Sequence, residues 1–413
     1  MKLLMVAPAC DGTDVGESWV AHQWAACLSE RHDVTLLTSR KRSRPSAKGQ
    51  LPDTRVVEWV EPPLLGRAER LNSMLAPGYV PFYFRARRWI RSALRRGDRF
   101  DVAFQPVPVA MRYPSPAADL GVPLVIGPVG GGLDTPAAFM EEGSTDPWFV
   151  HLRRFDALRL RHDPVLRRSY EAADCVFGIA PYVAEQLSGV AIKRLEIMSE
   201  TAIHEVPPVT VRERKDDVVR ALFVGRLVRT KGAREAICAL ALNKDLPLVL
   251  DIIGEGPDRA ACQALVEANG LADRVTFWGR QPQDVVMRHY QSADIFVFPS
   301  FREPGGNVTL EAMSFGLPLI VCDRGGPAAA VNDDCAYRLP VTTPQDLAVR
   351  VAEALRRLTL NRPLREAMGA AAYRHVQSTA LWEHRIACME EVFRDLVGAT
   401  GGRRREAVFT GTA

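Results

Sequence analysis

Short apolar runs alternate with stretches of helical periodicity from one end of the chain to the other. Strands covered on both faces read as continuous apolar runs, so this alternation predicts an α/β protein built on parallel sheets. In the first half the predicted strands are Lys2–Pro8, Asp33–Ser39, Arg55–Val60, Asp101–Gln105, Pro123–Gly127, Cys175–Ala180 and Leu195–Ser199. In the second half they are Arg220–Gly225, Leu248–Gly254, Val275–Trp278, Ile295–Pro299, Leu319–Cys322 and a short Ala336–Leu339.

Between the halves lies Glu205 to Asp217, with two prolines and mixed charges, the composition of a linker. It predicts one domain over residues 1–204 and a second over 218–377. A last long helix is expected over about 380–397, and the Gly/Arg-rich stretch 398–413 reads as a flexible tail. The length of 413 residues, too great for one ordinary core, agrees with two domains.

Hydrophobic content of 47% and charged content of 25% are those of a soluble globular protein. No stretch approaches the ~20 apolar residues of a membrane span, and nothing resembles a signal peptide. The eight cysteines are scattered, with no C-x-x-C pair or zinc spacing, so reduced, mostly buried thiols in a cytoplasmic protein are expected. His22, His151, His162 and His204 form no metal-ligand spacing, and Asp333-Asp334 reads as a solvated turn, so no metal is expected. A net charge of +4 is too small to imply a nucleic-acid partner.

Candidate chemistry concentrates in nine residues, Glu303-Pro304-Gly305-Gly306-Asn307-Val308-Thr309-Leu310-Glu311. A strand precedes them and a helix follows, so the two glycines lie in a strand-to-helix loop where backbone can approach a ligand closely. The helix starting near Asn307 points free N–H groups and its positive end at that ligand, which suits a diphosphate. The two carboxylates must meet something other than phosphate, and sugar hydroxyls are the natural partner. Arg226 and Lys231 could be ordinary solvated charges. Their place after a buried strand and before a helix, bracketed by Gly225 and Gly232, favours ligand contact.

Two glycine loops in the first half invite the same reading. One is Asp11-Gly12-Thr13-Asp14-Val15-Gly16-Glu17-Ser18; it lacks G-x-G-x-x-G, which counts against a dinucleotide site. The other is Gly130-Gly131-Gly132, after a predicted strand end, expected to line a binding cleft. Two basic runs, Phe82 to Arg99 and His151 to Arg168, interleave arginine with aromatics. Each is either an amphipathic helix covering a sheet with snorkelling arginines, or a surface for an anionic membrane.

Four elements together resemble the retaining glycosyltransferases of the GT-B fold, family 4. They are the E-x7-E pair Glu303/Glu311; Val224-Gly225-Arg226-Leu227-Val228-Arg229-Thr230-Lys231-Gly232; Ile252-Ile253-Gly254-Glu255-Gly256-Pro257; and Val275-Thr276-Phe277-Trp278-Gly279-Arg280. The resemblance covers most of the chain. It implies two Rossmann-like domains with parallel sheets facing a central cleft, the C-terminal helix crossing back onto the first domain. It also implies that Arg226 and Lys231 neutralise a donor diphosphate, Glu311 binds the ribose and Glu303 lies beside the donor sugar. Backbone from Gly305 through Gly306 and Asn307 to Val308 would hold sugar and phosphates, and Arg280 would border the base. Where the family has a Gly-Gly pair, this chain has Val15-Gly16, and Gly16 is expected to meet the donor phosphate. Many members carry a histidine near Gly130–Gly132; this chain has none there.

The expected activity is sugar transfer, with retention, from a UDP- or GDP-type nucleotide sugar to an acceptor hydroxyl in polysaccharide, glycolipid or glycosylated-metabolite synthesis. It needs no cofactor and, lacking an Asp-x-Asp at a strand end, no metal. A lipid-linked glycan is one acceptor that a membrane-facing basic helix would suit, at the inner face of the membrane. The alternatives are a nucleotide-sugar epimerase or a non-catalytic nucleotide-sugar-binding protein on the same fold.

Overall fold

The computed structural model describes residues 1–14, 16–61, 78–140, 154–208 and 217–409. Within these, two all-parallel sheets form. The first is ordered β3-β2-β1-β4-β5-β6-β7 and the second β10-β9-β8-β11-β12-β13. The first-sheet strands are β1 Lys2–Ala9, β2 Asp33–Arg40, β3 Arg55–Val60, β4 Val102–Gln105, β5 Leu124–Val129, β6 Cys175–Gly178 and β7 Leu195–Ile197. Those of the second are β8 Val219–Val224, β9 Leu248–Ile253, β10 Val275–Gly279, β11 Ile295–Phe298, β12 Leu319–Cys322 and β13 Ala336–Leu339. The predicted strands occur in their predicted order. Their cause is visible in the central ones: Leu3 to Ala7 of β1 and Ile295 to Phe298 of β11 are buried throughout, as strands covered by helices on both faces must be.

The chain divides into two compact units. One holds Met1–Gly132, Asp146–Glu200 and Arg385–Ala413; the other holds Leu133–Thr145 and Thr201–His384. The expected domain over 1–204 thus loses an internal segment to the second unit. The reason is local packing. Phe139 is buried against Phe301, with ring centroids 4.2 Å apart. Thr135 Oγ1 accepts from Arg302 at 3.2 Å, and the Asp134 carbonyl accepts from Arg324 at 2.8 Å. Most of the expected linker, residues 209–216, lies outside the described residues.

In each sheet the strand order reverses once, between β1 and β4 in the first and between β8 and β11 in the second. At such a point the loops leaving two neighbouring strands diverge to opposite faces, which opens a ligand-binding crevice at their carboxyl ends. Each unit therefore carries one position where a site is expected from topology alone.

The final helix, Trp382–Phe409, runs further than expected and continues through the stretch read as a flexible tail. Arg403-Arg404-Arg405-Glu406-Ala407 are good helix formers, and an established helix extends at the cost of one residue per bond. From Arg385 onward it belongs to the first unit. Ile386, Met389, Val392 and Phe393 are buried there. Phe393 packs edge-on to Phe104 at 5.7 Å, and Phe104 in turn to Trp24 at 5.3 Å. Glu390 pairs with His32 at 3.0 Å and Asp395 with Arg194 at 3.0 Å. All eight cysteines are unpaired thiols, five of them buried.

Phe393→Ala removes a fully buried ring from this aromatic stack. It is expected to cost about 3–5 kcal/mol, read as a lowered midpoint in chemical denaturation of the first unit. A midpoint equal to the parent chain's would show that the helix contributes little to that core.

Candidate functional site

In the second unit the crevice lies where β8 and β11 end side by side. After β8 come Gly225 and Arg226, then a single 3-10 turn, Arg229–Lys231, and the helix Ala233–Ala241. The turn is stitched to the β11 loop: the Thr230 carbonyl accepts from Phe301 N–H at 3.2 Å and from Ser300 Oγ at 3.1 Å. The approach is so close that Gly232, at φ +76°, would place a Cβ 2.1 Å from the Pro299 carbonyl oxygen. Only glycine satisfies both the left-handed backbone and this clearance. Arg229 is held by a bidentate pair with buried Glu235 at 2.6 and 2.9 Å, and its guanidinium lies near the rings of Phe301 and Phe139 at 5.2 and 5.7 Å.

Lys231 reaches Glu303 in a direct ion pair and sits 5.8 Å from the centroid of Phe298. Burial, followed by the Arg226 and Arg302 guanidiniums, pushes its ammonium down to about 7. Contact with the Glu303 carboxylate works in the opposite direction and favours the charged form. Arg226 is exposed and makes no ion pair among the described residues. The loops after β8 and β11 thus bring Arg226 and Arg302 near Lys231, a positive field at the carboxyl edge of the sheet.

The helix Asn307–Ser314 opens on this field. Its N-cap residue is Gly306, at φ +89°, and no side chain caps the first turn. Several helices of this unit share that lack, among them Ala233–Ala241 and Gln283–Ser292, whereas Thr343 Oγ1 accepts from Asp346 N–H at 3.1 Å. Uncapped first-turn N–H groups and the positive helix end suit an anion. The Asn307 side chain is itself bonded to Thr201, and Thr309, fully buried, donates to the Gly306 carbonyl at 2.5 Å.

Glu311, one turn further on, accepts from Tyr290 OH at 2.9 Å, with Gln283 Nε2 at 3.5 Å. Burial raises its carboxyl above the ordinary range, and those two donors oppose the rise. Tyr290 is fully buried and stacks on Phe315 at 5.8 Å with an interplanar angle of 9°.

The structure therefore gathers Gly225, Arg226, Lys231, Glu303, Gly305, Gly306, Asn307, Val308 and Glu311 onto the two loops after β8 and β11 and the helix that follows. Arg280 stands apart: it is exposed and follows β10, two strands from β8. Gly16 precedes the helix Glu17–Ser29 in the first unit, after β1, and Gly130 to Gly132 follow β5 of that unit.

Sequence reasoning missed three parts of the site. Arg302 adds to the positive field. Tyr290 orients Glu311. The start of the short helix Gly325–Ala330, after β12, supports the Gly305–Gly306 backbone: Gly326 N–H donates to the Glu303 carbonyl at 3.0 Å, and a Cβ on Gly326 would lie 1.8 Å from the Gly305 carbonyl oxygen. A second Gly-Gly after a strand was the available signal. Among the described residues no group of three or more His, Cys, Asp or Glu is arranged to hold a metal ion.

Comparison with known proteins agrees with this geometry. Residues 15–198 match the model of the glycosyl transferase 4-like domain, and residues 210–375 that of the glycosyl transferases group 1. A D-inositol 3-phosphate glycosyltransferase of Corynebacterium diphtheriae is 31% identical over 42% of this chain and 42% of its own length. The lipopolysaccharide core biosynthesis glycosyltransferase LpsD of Rhizobium meliloti is 30% identical over 54% of this chain and 64% of its own. The alignments thus span about half the length of these curated relatives. The solved sucrose-phosphate synthase of Thermosynechococcus elongatus superposes with a TM-score of 0.68 at 19% identity, over 97% of this chain and all of that one. The chain belongs to the group 1, family 4 glycosyltransferases, with the GT-B fold.

Proposed function

We propose that this protein transfers a sugar, with retention and without a metal ion, from a nucleoside-diphosphate sugar of the UDP or GDP type to an acceptor hydroxyl. The observation that carries the reading is the convergence of Arg226, Lys231 and an uncapped helix N-terminus on the β8/β11 crevice. The same crevice holds two carboxylates, Glu303 and Glu311. Fixed cations and N–H groups aimed at a leaving diphosphate stabilise charge where it develops, with no reorganisation at the moment of reaction.

In this reading the bond from the anomeric carbon to the β-phosphate oxygen breaks and the carbon gains oxocarbenium character. The acceptor oxygen bonds to that carbon on the same face. Its proton passes to the departing phosphate oxygen, so no enzymic nucleophile is required. Binding of the diphosphate would replace the Lys231–Glu303 contact, freeing Glu303 to accept from donor-sugar hydroxyls. Glu311, held by Tyr290, takes the ribose hydroxyls. Arg280 borders the base, Gly16 meets the donor phosphate, and Gly130 to Gly132 line the acceptor side. A donor sensor without activity would bind the nucleotide sugar but release no nucleoside diphosphate, which separates that alternative from a transferase. An epimerase would return an isomerised nucleotide sugar instead.

The basic helix Tyr79–Arg95 supports membrane association at the inner face and a lipid-linked acceptor. Its buried side is Tyr79, Phe82, Ala86, Ile90 and Ala93. Val80 and Phe84 are 59% and 65% exposed, and Arg85, Arg88, Arg91 and Arg95 are exposed with them. Not every arginine is available: Arg87 is bonded to the carbonyls of Pro116 and Ala118 at 3.1 and 2.8 Å. An exposed apolar pair beside four basic residues is the composition of an interfacial helix. Among the described residues no helix is long and apolar enough to cross a membrane. Of the second basic run, residues 151–153 lie outside the described residues.

Arg226→Ala and Lys231→Ala are each expected to lower turnover by about 10²-fold or more, since loss of one such donor costs ~3 kcal/mol of barrier. Melting temperature should change little for exposed Arg226. Activity of the parent chain should persist in excess EDTA. Parent-like turnover in both variants, or abolition by EDTA with rescue by Mg²⁺ or Mn²⁺, would refute the assignment.

Vesicle co-sedimentation tests the membrane surface. Each basic residue near an anionic bilayer contributes ~1 kcal/mol, fading within a Debye length. The chain should therefore pellet with acidic vesicles, release with added salt, and lose binding in Arg88→Glu/Arg91→Glu. Equal pelleting with neutral vesicles, or none with either, would leave the helix as a cover for the sheet.

A further inference from the structure

The first unit has its own crevice, where the strand order reverses between β1 and β4, and its chemistry is opposite in sign to that of the second. Hydrogen bonds link the loops after β1, β4, β5 and β6, and a carboxylate after β7 lies within electrostatic reach of them. Glu17, the first residue of its helix after β1, accepts Val109 N–H at Oε1, 3.2 Å away. The Val109 carbonyl, beyond β4, accepts from Gly130 N–H at 2.6 Å. Gly131 N–H donates to Tyr182 OH at 3.1 Å. Tyr182, after β6, lies close enough to Glu200, after β7, to feel its charge. Glu200 in turn feels Glu17. Five adjacent loops thus place two carboxylates and a phenol around the triglycine segment.

The charges of this group do not balance internally. Burial raises the Glu17 carboxyl above the ordinary range, and the Val109 N–H and then the Arg112 guanidinium oppose that rise. No cation opposes the shift of Glu200, and its Oε2 is buried and accepts no hydrogen bond from the described residues. Burial, and after it the charge of Glu17, pushes Glu200 up to about 7. An unpaired buried carboxylate oxygen is costly and is retained where something satisfies it. A hydroxyl donates one hydrogen bond but leaves the charge uncompensated. A phosphate adds charge of the same sign. A protonated amine supplies donors and countercharge together.

We infer that this group is an acceptor subsite for a polyhydroxylated molecule bearing an ammonium group, such as an amino sugar or aminocyclitol. Its amine would be held by Glu200 and Glu17, and its hydroxyls by Tyr182 and the Gly130–Gly132 backbone. The inference rests on the transferase reading and narrows it: the acceptor is cationic rather than phosphorylated at this end.

Calorimetric titration of the full chain with three cyclitols tests this. The probes are 2-deoxystreptamine, a diamine; myo-inositol, its neutral counterpart; and inositol 3-phosphate, an anion. The diamine is expected to bind at least about tenfold more tightly than inositol, and the phosphate most weakly. Glu200→Gln and Glu17→Gln should each erase most of that preference. UDP or GDP binding, carried by the other unit, should stay at the parent value in both variants. Equal affinity for diamine and inositol, preference for the phosphate, no binding of any of the three, or a preference that survives both substitutions would overturn the inference. A parent chain that selects the diamine but binds no nucleoside diphosphate would uphold the subsite and overturn the transferase reading instead.

Discussion

The reversal of strand order between β8 and β11 is the constraint from which the candidate site follows. Two parallel neighbours whose following helices go to opposite faces cannot have their loops packed together along their whole length, so a crevice opens at their carboxyl ends. What keeps it well defined is backbone contact at its base. The Thr230 carbonyl serves both Ser300 and Phe301, and the Gly232 backbone passes within van der Waals reach of Pro299. Arg226 and Lys231 are thereby fixed relative to Glu303 and to the start of the helix Asn307–Ser314. None of these functional residues needs a long flexible loop to reach the others.

The electrostatics of that crevice are strained in a productive direction. Lys231 is buried near two guanidiniums, an arrangement that disfavours its charge, and one carboxylate contact opposes this. A positive cluster that is under-neutralised by the protein binds a polyanion well, because the ligand relieves repulsion as well as making hydrogen bonds. No side chain caps the first turn at Gly306, so its N–H groups add to the positive field there. Tyr290 and Gln283 hold Glu311 so that its carboxylate keeps its direction despite burial.

The first unit repeats the topology with different chemistry. Its reversal lies between β1 and β4, and the loops around it carry Glu17, Tyr182 and Glu200, with Arg112 near Glu17. One fold plan used twice in a chain thus presents different side chains at its two reversals. The backbone determines where a site forms, and the residues on a few loops determine what it accepts. The final helix gives the first unit a further buried face through Phe393 and Met389, and its helical state extends past Gly398 because the arginine-rich end favours continuation once the helix exists.

The strands were legible in the sequence because burial on both faces forces an uninterrupted apolar run such as Ile295-Phe296-Val297-Phe298, which no exposed segment needs. The loops after β8 and β11 were legible because close backbone approach demands glycine, and Arg226 and Lys231 stand at short spacing from a strand end. Contacts between residues distant in sequence were not. Phe139 against Phe301, Tyr290 with Glu311, Gly326 beneath Glu303, and the line from Glu17 to Glu200 carry no local signature. A single tyrosine or glutamate is compatible with many surroundings, and only the packing of whole strands and helices selects one. Local pattern therefore determined the elements and the glycine-bearing loops; tertiary structure decided which side chains orient them, where the units divide, and which carboxylate oxygen is left buried without a partner among the described residues.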